Sequence, residues 1–273
     1  MGPKPLTFAL TWQRNTAPVG AEATELLRWL GKEVGHPIVP RVAIAYEDIF
    51  ARFERGDVDL AWLPPIAFLR LSARKLARTL VVNQRHGDRA YHAIVAVKQG
   101  SRHDAVDRLQ GARAAWIDPY STTGYVLPLL DLVERGIDPR KTFGEERFVG
   151  SHDAAARAVW GGRSDLLGTF AEYEGDRIVR AGFSTVGEPS DWRVLVRARE
   201  SPSDVLAAST SLDEELCGAV RAALLRAVQD PERGKLVRAV FHVDRFADAD
   251  DQRYRELAQL IETAKENGLL LHL

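Results

Sequence analysis

The sequence predicts an α/β fold made of two doubly wound lobes, and three observations lead to this prediction. Short apolar segments typical of strands alternate with segments of helical periodicity along most of the chain, a pattern that favours parallel, doubly wound sheets. The 273 residues are long for one hydrophobic core and comfortable for two. No low-complexity linker divides the chain, so we expect it to cross between the lobes more than once.

The first set of elements alternates strands and helices. Its apolar segments predict the strands Leu6–Thr11, Val39–Ala45, Val58–Leu63, Thr79–Asn83 and Tyr91–Val97. Between them, apolar residues that recur on one face predict the helices Ala21–Glu33, Glu47–Arg55 and Ile66–Ala77. Gly56 follows the second of these helices as a C-terminal stop.

The second set repeats the alternation and then becomes helical. Its predicted strands are Ala114–Ile117, Glu146–Phe148, Asp165–Thr169, Ile178–Phe183 and Arg193–Val196. Its predicted helices are Gly124–Arg135, Asp153–Trp160, Leu212–Val228, Pro231–Val237 and Asp250–Asn267. Ser211 with Glu214 three residues later predicts a capping box at the start of the third of these helices.

The composition excludes several classes of function. With 45% hydrophobic and 27% charged residues and a net charge of -1, the chain gives no electrostatic case for nucleic acid or an anionic membrane as a partner. Its one cysteine, Cys217, excludes an internal disulfide and a cysteine-rich metal site. We therefore expect a globular protein without a metal site or a cofactor.

The N-terminal residues bear on the compartment. Met1-Gly-Pro-Lys-Pro5 runs directly into the first strand, with no basic segment followed by an apolar one, and no window has the length of a membrane span. The sequence therefore predicts either a cytoplasmic protein or the mature form of an exported, periplasmic one.

A hydroxyl-rich turn is the clearest candidate for a binding site. Ser121, Thr122, Thr123 and Gly124 lie between a predicted strand and a predicted helix. The first amides of a helix have no internal partner, and the helix dipole adds partial positive charge at the same place. With three hydroxyl donors added, the turn predicts a pocket for a small oxyanion that needs no lysine or arginine.

Three segments in this order and spacing resemble one family. They are Gly56–Pro65 (GDVDLAWLPP), Asp118–Pro128 (DPYSTTGYVLP) with Gly136–Pro139 after it, and Gly150–Ala155 (GSHDAA) followed by Ala158–Gly161 and Asp165. The chain resembles the phosphate/phosphite/phosphonate-binding proteins of ABC importers, the phosphonate-binding branch of the type 2 periplasmic binding proteins. The resemblance extends over roughly Leu6 to Tyr254.

The resemblance implies how the lobes are arranged. Family members have two lobes with a central cleft between them, joined by two crossing hinge segments, and they close on the ligand. Here lobe one would be residues 1–93 plus 195–273 and lobe two residues 94–194. The crossings would lie near Tyr91–Val97 and Arg193–Val196.

The resemblance also implies the ligand-binding residues. Ser121, Thr122 and Thr123 match the turn that holds the phosphonate oxygens, whereas Tyr46, Tyr91 and His152 match family residues that face the ligand. For both tyrosines, packing at a strand end is the alternative interpretation. For His152 the alternative is a helix cap or a surface residue.

Other candidates follow from their place in the chain. Asp191 precedes the second crossing, where some family members place an acid against a ligand amine, and a turn or cap role is the equal alternative. Glu172 and Glu174 are weaker candidates for the same role. Trp12 and Gln13 lie in a loop that should face the cleft, although Trp12 could equally pack on the lobe surface.

The predicted function is a monomeric solute-binding protein that captures a small anionic ligand, an oxyanion or organophosphorus compound, with an ABC transporter permease as its partner. A cytoplasmic ligand-sensing domain of the same fold is the first alternative. An enzyme is the second, since Ser121, His152 and Asp191 have the residue types of a catalytic triad. No Gly-x-Ser-x-Gly elbow, Walker pattern or metal-ligand cluster supports the enzyme, so we expect no catalytic residues.

Overall fold

The computed structural model describes residues 3–11, 20–43, 45–84, 89–248 and 251–273. The chain divides into two compact units, residues 1–87 with 202–259 and residues 88–201 with 260–273. The predicted lobes have their boundaries after residue 93 and before residue 195, whereas the two units have theirs after residue 87 and before residue 202. Residues 260–273, predicted in lobe one, belong to the second unit. The segments predicted as crossings, Tyr91–Val97 and Arg193–Val196, belong to strands that pair with each other in the second unit's sheet, and their role as crossings stays a prediction.

In the part of the chain that the structure describes, the first unit contains a six-stranded sheet in the order β12-β4-β11-β3-β1-β2. Its strands are β1 (Leu6–Thr11), β2 (Ile38–Ala43), β3 (Leu60–Leu63), β4 (Ala77–Gln84), β11 (Val205–Ser209) and β12 (Arg245–Ala247). Strand β1 pairs in parallel with β2 and β3, whereas β4, β11 and β12 pair antiparallel. The sheet is therefore mixed and not wholly parallel as the alternation predicted.

Helices cover this first sheet. They are α1 (Ala21–Glu33), α2 (Tyr46–Arg55), α3 (Pro65–Ala73), α7 (Glu214–Ala227) and α8 (Pro231–Phe241). Leu26 and Leu30 of α1 pack with Val220 and Leu224 of α7 in one buried core that also contains Phe8 of β1. These leucines and valines lie on one face of each helix, so their burial explains the helical periodicity of the sequence.

The second unit contains a sheet in the order β10-β5-β8-β6-β7, with β9 paired to β8. Its strands are β5 (Arg89–Lys98), β6 (Arg113–Trp116), β7 (Glu145–Phe148), β8 (Leu166–Glu174), β9 (Arg177–Ala181) and β10 (Trp192–Glu200). Strands β6, β7 and β8 pair in parallel, whereas β5, β9 and β10 pair antiparallel. The parallel strands place their carboxyl ends at one edge of the sheet.

Short and long helices connect these strands. They are α4 (Leu127–Glu134), α5 (Pro139–Thr142) and α6 (His152–Trp160), and a π-helical turn over Thr122–Val126 leads into α4. One buried cluster holds Ala155 and Val159 of α6 against Leu167 and Ala171 of β8. Helix α9 is Asp251–Glu266.

The structure corrects several predicted elements. Strand β11 was not predicted, and β8 extends five residues beyond its predicted end at Thr169. The predicted capping box of Ser211 and Glu214 is wrong, because the N-cap of α7 is Asp213, whose carboxylate accepts from the amides of Glu215 and Leu216. Among the described residues, no helix is both long and apolar enough to cross a membrane.

Candidate functional site

The carboxyl edge of the second sheet brings together two helix starts. Strand β6 ends at Trp116 and continues into the turn at Ser121, and β7 ends at Phe148 and continues into α6 at His152. Backbone bonds from Val149 and Gly150 to the carbonyls at the end of β6 keep the two exits side by side. In open α/β sheets this edge is where ligands bind.

The hydroxyl-rich turn is a tightly bonded cap. Ser121 Oγ accepts from the amide of Gly124 at 3.1 Å, and the Ser121 carbonyl accepts from the amides of Tyr125 and Val126. The residues between, Thr122 and Thr123, begin the π-helical turn that leads into α4. Ser121 is 5% exposed, Thr122 1% and Thr123 5%, so an anion bound here would be largely removed from water.

Asp118 and the C-terminal segment hold the start of this turn. Asp118 Oδ1 accepts from the amide of Tyr120 at 2.8 Å, and its carbonyl accepts from the amide of Ser121. His272 Nε2 lies 3.1 Å from the carbonyl oxygen of Pro119, and its ring packs edge-on to Tyr120. Contacts within the second unit therefore hold the turn in place without a ligand.

Two glycines allow the turn to approach β8. A Cβ on Gly124 would lie 2.1 Å from Ile117 Cγ1 and 2.7 Å from Ser121 Oγ. A Cβ on Gly168 would lie 2.8 Å from the carbonyl oxygen of Gly124 and 2.7 Å from the ring of Trp116. Gly124 is thus needed for the packing of the turn. The sequence did not indicate the same need at Gly168, because only the folded sheet brings Gly168 next to Gly124.

The side chain of His152, the first residue of α6, contacts Thr169, which follows Gly168 in β8. Its Nδ1 is 2.7 Å from Thr169 Oγ1, and its ring packs edge-on to Phe170 with ring centroids 5.0 Å apart. Burial lowers the pKa of His152 to about 4, and the positive charge of Arg180 contributes to the same shift. The imidazole is therefore neutral at neutral pH in the absence of an anion.

Side chains of the β8–β9 hairpin and of β5 lie next to this histidine. The ring of Tyr91 stacks on the ring of Phe170 with centroids 5.1 Å apart. The guanidinium of Arg180 lies 4.8 Å from the centroid of the same Phe170 ring. Arg180 Nη2 donates to Glu172 Oε1 at 2.5 Å. We call Tyr91, His152, Phe170, Glu172 and Arg180 the hairpin wall.

The structure joins some sequence-predicted residues and separates others. It places Tyr91 and His152 in the hairpin wall, on two sides of Phe170. Glu172 is buried and paired with Arg180, whereas the other weaker candidate, Glu174, is exposed and paired with Arg177. Sequence reasoning missed Phe170 and Arg180, since their positions depend on a hairpin that only β9 completes.

Asp191 lies at the other end of the second sheet. Its carbonyl accepts from the amide of Gln99, the residue after the end of β5. Gln99 is eight residues from Tyr91, and a strand rises about 3.3 Å per residue. Its carboxylate Oδ2 accepts from the amide of Glu188 at 2.9 Å as part of a capping box. The structure therefore gives Asp191 the turn role and does not bring it to Ser121 or His152.

This separation also leaves the catalytic triad without support. His152 Nδ1 faces Thr169 and not an acid, and Asp191 lies at the opposite edge of the sheet. Among the residues that the structure describes, no group of His, Cys, Asp and Glu side chains could hold a metal ion. Cys217 is buried in the first unit, and burial raises its pKa, which disfavours the thiolate that a nucleophile needs.

The first unit has a corresponding edge. Strands β1, β2 and β3 are parallel, and Tyr46 begins α2 directly after β2, half-buried at the carboxyl end of the strands. Trp12 and Gln13 follow β1 but lie outside the described residues. The assignment of Tyr46, Trp12 and Gln13 to a ligand stays a prediction.

Comparison with known proteins gives a family match over most of the chain. The model of the family described as "ABC transporter, phosphonate, periplasmic substrate-binding protein" matches residues 8–254. A phosphate-import protein of Mycolicibacterium smegmatis is 24% identical over 173 residues, which are 60% of this chain and 54% of that protein. The match thus spans about half the length of that relative.

Solved structures share the fold. A binding-protein component of an ABC phosphonate transporter from Pseudomonas aeruginosa has a TM-score of 0.76 at 19% identity, over 94% of this chain and 85% of that one. The PhnD1 protein from Prochlorococcus marinus in complex with methylphosphonate has a TM-score of 0.73 at 16% identity, over 95% and 97%. A chloride-bound protein from Xanthomonas citri has a TM-score of 0.74 at 22% identity, over 96% and 99%.

Proposed function

Because this chain belongs to the family of periplasmic, phosphonate-binding substrate-binding proteins of ABC transporters, we propose that it captures a small phosphorus oxyanion for uptake. The ligand class is phosphate, phosphite or a phosphonate. The family is one of transport receptors, which bind a ligand without converting it. We further propose that the protein works as a monomer outside the cytoplasmic membrane and transfers its ligand to a permease.

The observation that supports this function best is the turn at Ser121–Thr123. Three buried hydroxyl groups and the opening amides of a helix lie together at the carboxyl edge of the second sheet. A tetrahedral anion offers several oxygens to such donors, and hydrogen bonds to a charged acceptor are short and strong. In the proposal these bonds offset the loss of the anion's water.

His152 adds one donor in the same proposal. When the Thr169 hydroxyl donates to Nδ1, the neutral ring carries its proton on Nε2 and can donate it to an anion. A bound anion would also favour the imidazolium form and raise the pKa of His152 from about 4. Tyr91, stacked on Phe170, would line the space beside the ligand.

Two relatives support phosphorus oxyanions as the ligand class. The protein from Mycolicibacterium smegmatis is a phosphate-import protein, and the structure from Prochlorococcus marinus holds methylphosphonate. Both ligands have a tetrahedral phosphorus with oxygens that the turn could meet in the same way. The sequence likeness is too low to transfer either ligand by itself, so the proposal rests on the turn.

Thermal unfolding with an anion panel tests this function. Phosphate, phosphite, methylphosphonate and sulfate are added separately, with potassium chloride at matched ionic strength as the control. A ligand at a hundred times its Kd stabilises the folded chain by about 2.7 kcal/mol, so at least one phosphorus oxyanion should raise the Tm by several degrees. No rise with any phosphorus oxyanion would contradict the proposal.

A further inference from the structure

The proposed oxyanion function leaves unused one ion pair of the hairpin wall, between the buried Glu172 and the half-buried Arg180. Glu172 is 4% exposed, and its carboxylate accepts from Arg180 Nη2 at 2.5 Å. The register of β8 and β9 places the two residues directly opposite each other. The buried acid therefore has a cation of the protein's own, fixed across the hairpin.

This pair lies beside the candidate anion site and not at a distance from it. The Arg180 guanidinium lies 4.8 Å over the ring of Phe170, and that ring packs edge-on to His152. His152 in turn bonds to Thr169, the neighbour of the Gly168 that packs on the Ser121–Gly124 turn. Ion pair, aromatic rings and turn thus follow one another along β8.

The charge balance decides which ligands the wall accepts. A buried carboxylate without a partner would attract an ammonium group, because an unpaired buried charge is costly. Here the guanidinium of Arg180 already fills that role, and a ligand ammonium would have to displace it or lie beside a like charge. An alkyl group or a bare inorganic anion meets the rings of Phe170 and Tyr91 without that conflict.

On the basis of the proposed function, we propose that this site selects phosphorus oxyanions without a cationic group and discriminates against aminoalkylphosphonates. Arg180 is the specificity-determining residue, and it acts by occupying the carboxylate of Glu172. The preferred ligands are phosphate, phosphite and short alkylphosphonates.

Calorimetric titration of the native chain with a matched pair of ligands tests this selectivity. Ethylphosphonate and aminomethylphosphonate have the same number of heavy atoms and differ in a terminal methyl or ammonium group. We expect ethylphosphonate to bind at least about tenfold more tightly, the effect of one screened unit charge in a partly buried site. Equal or tighter binding of aminomethylphosphonate would overturn the proposal.

A variant of Arg180 gives the second arm. R180M keeps an unbranched side chain and frees Glu172, so the affinity ratio should shift towards aminomethylphosphonate by about tenfold or more. R177M is the matched control, because Arg177 pairs with the exposed Glu174 on the same hairpin, and its ratio should stay that of the native chain. An unchanged ratio in a folded R180M would contradict the role of Arg180.

The double variant E172Q/R180M keeps the test informative if R180M alone fails to fold. It removes both charges of the pair, and we expect it to bind ethylphosphonate without the gain in aminomethylphosphonate affinity. Methylphosphonate separates the two proposals. If methylphosphonate, phosphate and phosphite all fail to bind to the native chain, the proposed function fails. If any of the three binds and neither larger phosphonate does, size and not charge is selected and this inference fails.

Discussion

The turn at Ser121–Gly124 and the hairpin wall both lie next to β8, but their side chains differ in chemistry. The turn has neutral donors, buried hydroxyls and helix amides, held by a cap and by two glycines. The wall has full charges, but Arg180 and Glu172 neutralise each other and His152 is uncharged. In the two proposals above, the turn would recognise the anion and the hairpin wall would select the rest of the ligand.

The largest effect should come from filling the contact between the turn and β8. In G168A the new Cβ would lie 2.7 Å from the Trp116 ring and 2.8 Å from the carbonyl oxygen of Gly124, closer than real Cβ contacts. We expect about 1–3 kcal/mol of lost stability in urea unfolding and loss of anion binding. G218A is the control, since a Cβ there meets nothing and alanine should stabilise α7 by about 0.5–1 kcal/mol.

The prediction is contradicted if G168A keeps both the native midpoint of urea unfolding and the native affinity for the anion. Such a result would mean that the turn does not depend on close contact with β8. Its donors could then not be regarded as fixed before the ligand binds.

The next effect is a pH dependence from His152. The unfolded histidine has its ordinary pKa near 6.5, whereas the folded one has a pKa of about 4, so between these values the unfolded state binds more protons. Stability from this residue is therefore fully present above pH 6.5 and is lost as the pH falls towards about 4. Because His152 as a whole residue is half-buried, we expect less than the full effect of the shift, a total of about 2 kcal/mol.

Urea unfolding at several pH values measures this dependence. In H152Q the loss of stability between pH 6.5 and pH 4 should be smaller by that amount. An equal slope in the native chain and H152Q would show that the wall does not hold the imidazole neutral.

A smaller effect should follow from removing one hydroxyl of the turn. T123V keeps the shape of the side chain and removes a donor, so affinity for a phosphorus oxyanion should fall about tenfold, as expected for one hydrogen bond to a charged group. T142V is the matched control, a buried threonine at the end of α5. Calorimetry on both variants measures the difference, and equal affinities would remove Thr123 from the proposed site.

The smallest effect is expected at Asp191. D191A removes the acceptor for the Glu188 amide and should cost about 0.5–1 kcal/mol of stability, as a lost cap does. Because the residue lies at the other edge of the sheet, oxyanion affinity should remain that of the native chain. A tenfold loss of affinity in the titration would return Asp191 to the candidate site.

Local patterns predicted much of the fold, and non-local pairing accounts for what they missed. Segments such as α1 and β1 carry their own periodicity, and their bounds agree with the predicted ones. Strand β11 has no polar alternation because Val205–Ser209 is buried throughout, between β3 and β4. Its place as a central antiparallel strand depends on partners more than 120 residues earlier, which no local window contains.

The same distinction holds for the candidate site. The Ser-Thr-Thr-Gly turn could be read from the sequence, because a strand, hydroxyl residues and a helix follow one another directly. Arg180 could not, because its role comes from pairing across a hairpin with Glu172, which in isolation resembled an acid for a ligand amine. Sequence spacing therefore predicted the turn, whereas it could not show the ion pair that Glu172 makes across the hairpin.

A crystal structure of the chain with methylphosphonate tests the central claim most directly. We expect phosphonate oxygens within about 2.7–3.2 Å of the amides and hydroxyls of Thr122 and Thr123, with the methyl group turned towards Phe170. Methylphosphonate bound without a contact to Ser121, Thr122 or Thr123 would contradict the account.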